Sequence, residues 1–263
     1  MAAWLEASGN LIASIGEPEF AKVLSNALKE IAPFDYTVVF GFLGSARPLD
    51  LYDDFPKIKR KIFVEDYQEG PYLLDPFFLA SANLKTPDLY RLRDLAPDRF
   101  YQGEYFRNYY VQTGLAEEIS YFIDLSQSAV VCVSLMRAEK VFSAKDFREL
   151  RKVWPVVSAA CRKNWSALAT RFGETPHIQS GKKLPQSVDQ AFQTFDEGLL
   201  TPREKEVVEF TLKGHSADAV GKILGISQGT VRIHRRNIYA KLRIRSQGEL
   251  FSRFIQALAG PGT

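Results

Sequence analysis

The chain is poor in several chemistries. Its 263 residues include two cysteines, three histidines and two methionines. Cys132 and Cys161 sit in apolar runs, "VVCVSL" and "SAACRKNW", so two reduced, buried thiols are expected rather than a disulfide framework. His177, His215 and His234 fall in a polar stretch, a turn and a basic helix. Their spacing suits no metal, and none is set up as a catalytic base. There is no Gly-rich phosphate loop and no nucleophile elbow, so an enzyme is not expected and no motif calls for a cofactor. No apolar run approaches the roughly 18 residues of a membrane span. The start of the chain has no basic stretch leading into an apolar core, so we expect no signal peptide and a cytoplasmic location. Between Gly225 and Leu242 there is no acidic residue at all.

Hydrophobic residues make up 46% and charged residues 25%, as in an ordinary globular protein. The charge is unevenly placed. Residues 199–263 hold 11 Lys/Arg and 5 Asp/Glu, a net of +6, which leaves 23 and 26, a net of −3, for the rest of a chain of net +3. A basic segment on a slightly acidic body suggests a polyanion-binding module on a carrier domain. Residues 1–166 are dense in aromatics and read as one domain. Residues 167–198 are Gly/Pro/Ser/Lys-rich at first and read as a linker, with a short helical run in "VDQAFQTFDEG".

The first region mixes helices and strands. "PEFAKVLSNALKEIA" has apolar spacing near 3.6 and reads as a helix, whereas "DYTVVFGFLG" is β-branched and aromatic and reads as a strand. "PYLLDPFFLASANL" and "RFYQGEYFRNYYVQTG" each read as a helix, the second closed by Gly114. "EEISYFIDLS" and "SAVVCVSLMRAE" read as hairpin strands. "SAKDFRELRKVWPVVSAACRKNW" reads as a long helix with Ser143 as N-cap and a kink at Pro155. This order predicts an α+β domain, an α/β/α sandwich with an antiparallel sheet. Strands of that kind, with no Asp at the end of "VFGFLG", argue against a phosphoacceptor domain.

Residues 199–263 predict an all-α domain of four helices. Thr201, Pro202 and Glu204 form a capping-box start, and Gly214 a stop. Ser216 caps "ADAVGKIL", Gly225 closes it, and "GIS" joins it to a helix over 227–242. Two short helices so joined make a helix-turn-helix, whose second helix enters the major groove of double-stranded DNA. At 100° per residue, Val231, Ile238 and Leu242 lie within about 20° of one line and form its buried stripe. Arg232 and Arg236, four apart, share a face about a quarter turn away.

The run "LTPREKEVVEFTLKGHSADAVGKILGISQGTVRIHRRNIYAKL" resembles the C-terminal DNA-binding domain of LuxR-type transcription factors, through "LTPRE", "GIS", "TVRIH" and "IYAKL". The resemblance implies that Arg232, Ile233 and Arg236 meet base edges. The two arginines suit bidentate contact with guanine, and Ile233 a thymine methyl. Gln228, Thr230, His234, Arg235 and Lys241 are the phosphate candidates, with a structural role as the alternative for His234. Two places depart from the family: "SADAVG" stands where a more polar run is common, its Asp218 weakening a phosphate contact there, and Arg243 stands where Gly is usual. An arginine there has to turn left-handed at about 1 kcal/mol. The surplus apolar surface of the last helix (Leu250, Phe251, Phe254, Ile255, Leu258) suggests, with the resemblance, a homodimer on a near-palindromic operator.

The N-terminal region resembles LuxR-type ligand-binding domains, in the manner of a quorum-sensing "solo" receptor, through "YLLDPFF" and "TGLAEEISYFI". The resemblance implies a small-molecule effector held by Asp75 and Tyr67. Phe63 and Tyr90 stand where acyl-homoserine-lactone receptors have tryptophans, and Glu118 where they have Gly. The expected lining is Phe63, Tyr67, Tyr72, Asp75, Phe77, Tyr90, Tyr101, Phe106 and Tyr110. An Asp among Tyr and Phe suits an amine or another cationic metabolite; the alternative is an acyl-homoserine-lactone receptor. Asp75, standing before a Pro, also reads as a helix cap. Glu117 and Glu118 read as solvated or Arg-paired.

Overall fold

The computed structural model describes residues 2–44, 46–82, 86–126, 129–168 and 188–259. Much of the expected linker, residues 169–187, lies outside that set. Two compact units form, each from several stretches of chain. One comprises Met1–Val64, Ala80–Leu95 and Gly114–Ile178, and the other Glu65–Leu79, Ala96–Thr113 and Gln179–Thr263.

The first unit is built on a five-stranded antiparallel sheet in the order β2-β1-β5-β4-β3. Its strands are β1 (Tyr36–Leu43), β2 (Leu49–Asp53), β3 (Leu89–Arg91), β4 (Glu117–Ser126) and β5 (Ala129–Arg137). The two central strands carry Ile119, Tyr121, Ile123, Val131, Val133 and Leu135 on one face, all buried. That face is covered by α1 (Ala2–Ala13), α2 (Phe20–Lys29), α7 (Ala144–Lys152) and α8 (Trp154–Asn164). α2 supplies Phe20, Leu24, Ala27 and Leu28, an i, i+4, i+7, i+8 stripe that commits one side of the helix to the core. Ser143 caps α7 in a reciprocal box with Asp146. The expected kink is a full break at Val153, because Pro155 has no N–H to continue the ladder. Tyr121 pins sheet to helix by donating to the Leu150 carbonyl at 2.7 Å.

Two expected helices are broken. "PYLLDPFFLASANL" is a 3-10 turn (Pro71–Leu74) followed by α4 (Pro76–Ser81), with Asp75 extended between them at φ −73°, ψ 123°. A residue before proline is pushed out of the helical region, which the apolar pattern alone does not show. "RFYQGEYFRNYYVQTG" is α6 (Glu104–Asn108) between 3-10 turns at Phe100–Gln102 and Tyr110–Thr113. The helices α3 (Lys57–Arg60), which runs on as a π-helical turn to Asp66, and α5 (Leu92–Leu95) complete this part of the chain.

The second unit contains α9 (Val188–Thr194), α10 (Pro202–Leu212), α11 (Ala217–Leu224), α12 (Gln228–Leu242) and α13 (Gln247–Ala259). The apolar face of α13 is consumed within the chain. Leu250, Phe251, Phe254 and Leu258 are buried, and Phe254 stacks on Phe192 at 4.5 Å and meets Phe195 edge-on at 5.5 Å. The surplus that the sequence suggested for a dimer contact is therefore covered within the chain, at Phe254 by Phe192 and Phe195 and at Leu258 by the backbone at Gly70, leaving Ile255 half-buried.

A buried charge holds the end of the sheet. Arg91 donates to Glu117 (2.6 Å) and to the carbonyls of Phe142 and Ser143, while Glu117 also accepts the Phe142 N–H at 2.6 Å. Both side chains are 7% exposed. Glu117 is thus Arg-paired rather than solvated, and Glu118 is buried as well. Removing one partner of a buried pair strands the other charge. Arg91→Ala is expected to cost ~3–5 kcal/mol, read as a lower urea midpoint, with Glu117→Gln in the Arg91→Ala background recovering part of the loss.

Candidate nucleic-acid interface and effector site

Local rules fix the helix-turn-helix. Thr201 Oγ accepts the Glu204 N–H, and Glu204 Oε2 in return accepts from the Thr201 N–H (2.8 Å) and hydroxyl (3.0 Å). Ser216 and Ser227 cap α11 and α12 by accepting N–H groups three residues on. α10, α11 and α12 close on the same device, an N–H that reaches back five residues: His215 to Phe210, Ile226 to Gly221, Ile244 to Tyr239. This closure needs a left-handed residue, which Gly214 and Gly225 supply at no steric cost. At the end of α12 the residue is Arg243, at φ 55°, ψ 41°. On α11, a Cβ on Gly221 would stand 2.7 Å from the carbonyl oxygen of Ile226 in the turn. The two helices approach as closely as they do because that side chain is missing.

α12 buries Val231, Ile238 and Leu242, the stripe expected from spacing. Arg232, Ile233 and Arg236 are exposed, Ile233 by 51%. The acids of residues 199–263 are not spread evenly over the cations. Glu204 holds Lys241 (2.6 Å), Glu206 holds Arg203, Glu209 holds Lys213, and Asp218 holds Lys222. Arg253 is held by Asp196 at 2.6 Å. Arg232 and Arg236 have no carboxylate partner among the described residues. The acids pair with most of the scaffold cations and with neither arginine of the expected reading face.

Among the phosphate candidates, Gln228 is exposed, Thr230 is half-buried with its hydroxyl 2.8 Å from that of Ser227, and His234 is half-buried. Arg235 donates to Gln247 at 2.8 Å, and Lys241 is bound to Glu204. Both therefore tie α12 to its own module. Burial alone raises the Glu204 carboxyl, but the bonds from Lys241 and Thr201 outweigh it and hold the group below its ordinary range. Asp218, whose charge the sequence sets against a nearby phosphate contact, is offset by Lys222.

The expected effector residues are divided between the units. In the second, Tyr67 donates to Asp75 Oδ2 at 2.6 Å, and Asp75 Oδ1 accepts the Phe77 N–H at 3.0 Å. Asp75 is thus a cap for α4 and a tyrosine-paired carboxylate at once. Burial pushes its pKa up to about 6, against the pull of those hydrogen bonds. The Tyr67 ring lies 6.2 Å from Tyr72 and 6.3 Å from Tyr109, and Tyr72 meets Phe78 edge-on at 4.9 Å. Phe77 and Tyr110 are buried and Phe106 stacks on Tyr110, whereas Tyr101 is 48% exposed. In the first unit, Phe63 stacks on Phe55 at 4.4 Å, and Tyr90 meets Phe122 edge-on while its hydroxyl donates to the Thr86 carbonyl.

Sequence reading passed over two serines. Ser120 and Ser134 are register partners on β4 and β5, both buried, on the sheet face opposite the core described above. The Ser120 hydroxyl has no hydrogen-bond partner. A hydroxyl in a near-continuous apolar strand, "ISYFI", was the available signal. Such a group costs free energy until something bonds it.

The strain at Arg243 is directly testable. Arg243→Gly is expected to stabilise the module by about 1 kcal/mol, since glycine takes the left-handed region freely. An unchanged or lower melting temperature would show that the arginine side chain contributes more than its backbone strain costs.

Residues 198–254 match the model of the family described as bacterial regulatory proteins, luxR family. An HTH-type transcriptional regulator from the exeN 3′ region of Aeromonas salmonicida is 30% identical over 186 residues, 70% of this chain and 94% of that protein. The monoamine regulon transcriptional regulator of Klebsiella aerogenes is 25% identical over 189 residues, 72% of this chain and 71% of the other. Among solved structures, the VqsR LBD domain from Pseudomonas aeruginosa matches with a TM-score of 0.53 and 29% identity, covering 62% of this chain and 97% of that one. With the sheet, the capped helix-turn-helix and these relatives together, the chain belongs to the LuxR family of bacterial transcriptional regulators.

Proposed function

We propose that this regulator reads its operator with Arg232, Ile233 and Arg236, in response to a small cationic effector bound at Asp75. The carrying observation is the distribution of ion pairs. Five cations on residues 203–253 are held by carboxylates, while the two arginines that share the outer face of α12 have none among the described residues. Guanidiniums four residues apart on an exposed helix suit bidentate contact with successive guanines, and Ile233 offers an apolar edge to a thymine methyl. Gln228, Thr230 and His234 are the phosphate contacts in this reading. Arg235 and Lys241 fix the helix and reach phosphates only with donors left over. Two copies on a near-palindromic site would double the footprint. Exposed Leu5 and Ile12, seven apart on α1 and so on one side of it, offer an apolar strip for such pairing.

The effector class follows from Asp75. A carboxylate whose pKa has been pushed to about 6 gains most from a cation. The tyrosines around Tyr67 supply π faces for the same charge. The relative named for a monoamine regulon supports this reading.

Arg232→Ala and Arg236→Ala are each expected to cost about 1–3 kcal/mol on the operator and to relax preference at one position. Site selection from a random duplex library measures both effects, and full selectivity in both variants would overturn the assignment. For the effector, aromatic and aliphatic amines are expected to raise the melting temperature, whereas acyl-homoserine lactones are not. The amine affinity should fall about tenfold per pH unit below 6, as protonation removes the charge of Asp75. The unliganded protein has the opposite dependence. A raised carboxyl pKa favours the folded state at low pH, and that contribution is lost as pH rises through about 6. Stabilisation by the lactones with no response to amines would reverse the choice of class.

A further inference from the structure

The second unit contains a polar cleft that none of these roles uses. Its cavity of about 190 Å³ is lined by Arg99 and Arg107 from the segment around α6, and by Thr211, His215, Arg235 and Gln247 from the helix-turn-helix module. No carboxylate lines it. Arg99 and Arg107 are exposed and have no carboxylate partner among the described residues. The walls are firmly set. The Arg99 N–H donates to the Gly214 carbonyl at 3.0 Å, and the Ser216 N–H to Asp98 at 3.0 Å. Gly214 comes so close to Phe100 that a Cβ there would lie 2.9 Å from the Phe100 Cα. Thr211, 2% exposed, lines the cleft, and its hydroxyl has no hydrogen-bond partner among the described residues.

We infer that this cleft binds a small phosphate-bearing anion. Three guanidiniums on opposite walls present planar forks of donors from several directions, which suits a compact, multiply charged tetrahedral group. Arg235 is already oriented by Gln247, and Gln247 by the Thr211 carbonyl at 3.4 Å, so one donor is fixed before any ligand arrives. His215 stands edge-on to Phe210 at 5.6 Å. Burial holds its pKa below the usual range, so it enters as a neutral donor and the positive charge comes from the arginines. The Thr211 hydroxyl is the buried group that lacks a bond until something enters. A duplex backbone would meet the exposed arginines but would not reach that hydroxyl, which favours a small ligand over DNA.

The test uses the full chain and thermal denaturation with inorganic phosphate, pyrophosphate or ribose 5-phosphate, against chloride at matched ionic strength. A saturable upward shift of several degrees is expected with at least one of the phosphates. A stronger response to ribose 5-phosphate identifies a phosphorylated metabolite as the ligand, and equal responses identify the free ion. Arg99→Ala/Arg107→Ala should abolish the shift. Thr211→Val should weaken phosphate binding several-fold without lowering the melting temperature in chloride, because it removes an unbonded hydroxyl. Binding to duplex DNA of arbitrary sequence should be unchanged in both variants. The inference is overturned if no phosphate stabilises beyond chloride, or if the double variant responds like the parent. It is equally overturned if that variant keeps the phosphate shift and loses DNA affinity, which would assign the two arginines to the DNA backbone.

Discussion

The orientation of α12 depends on one carboxylate. Glu204 sits 4% exposed at the start of α10 and accepts from the backbone and hydroxyl of Thr201 and from the ammonium of Lys241 near the end of α12. A buried carboxylate is tolerable only when its oxygens are bonded and its charge is met, and Glu204 achieves both with two residues. The bond that begins one helix therefore sets the rotation of another. With Lys241 held and Val231, Ile238 and Leu242 buried, α12 can present only one side outward, the one that carries Arg232, Ile233 and Arg236.

The excess charge of the module has a corresponding logic. A net of +6 could be a diffuse basic surface, adequate for weak attraction to any polyanion. The ion pairs show a narrower use. Cations that stabilise the module are answered by acids one turn away or across a helix contact, so their fields are cancelled locally. Among the described residues, the cations of the module without a carboxylate partner are Lys205 on α10, which donates to the Gln193 carbonyl, and Arg232, Arg235, Arg236, Arg243 and Arg245 on α12 and just beyond it. The Tyr67–Asp75 pair works in the other direction. There a half-buried carboxyl is held by hydrogen bonds from Tyr67 and the Phe77 N–H, and desolvation still raises its pKa to about 6.

Local signals were legible in the sequence. Thr201, Ser216 and Ser227 announced helix starts, Gly214 and Gly225 announced stops, and the 3.6-residue period of Val231, Ile238 and Leu242 placed the buried stripe. The left-handed Arg243 was readable only through the family resemblance, which has glycine after "KL". Features that depend on distant chain were not legible. α1 shows little amphipathic pattern, since Trp4 and Leu11 are its main core contributions, and β2 and β3 are too short to carry a period. The two broken helices looked continuous because apolar content says nothing of the backbone before Pro76 or at Gly103. The fate of the α13 side chains depended on Phe192 and Phe195, in a stretch read as mostly linker. The arginine cleft joins residues more than a hundred positions apart and leaves no motif.

Gly214 carries one more consequence. Its positive φ of 95° serves the closure of α10, yet the space where its side chain would be is filled by Phe100, from a stretch that the composition assigns to the sensor region. The segment around Phe100 and the first helix of the DNA-binding module are thus fitted to each other at backbone level. In this chain the seam does not follow the apparent boundary near residue 199. Recombination there would separate two halves of one packing contact, and a functional chimera would have to carry residues 96–113 along with the helix-turn-helix.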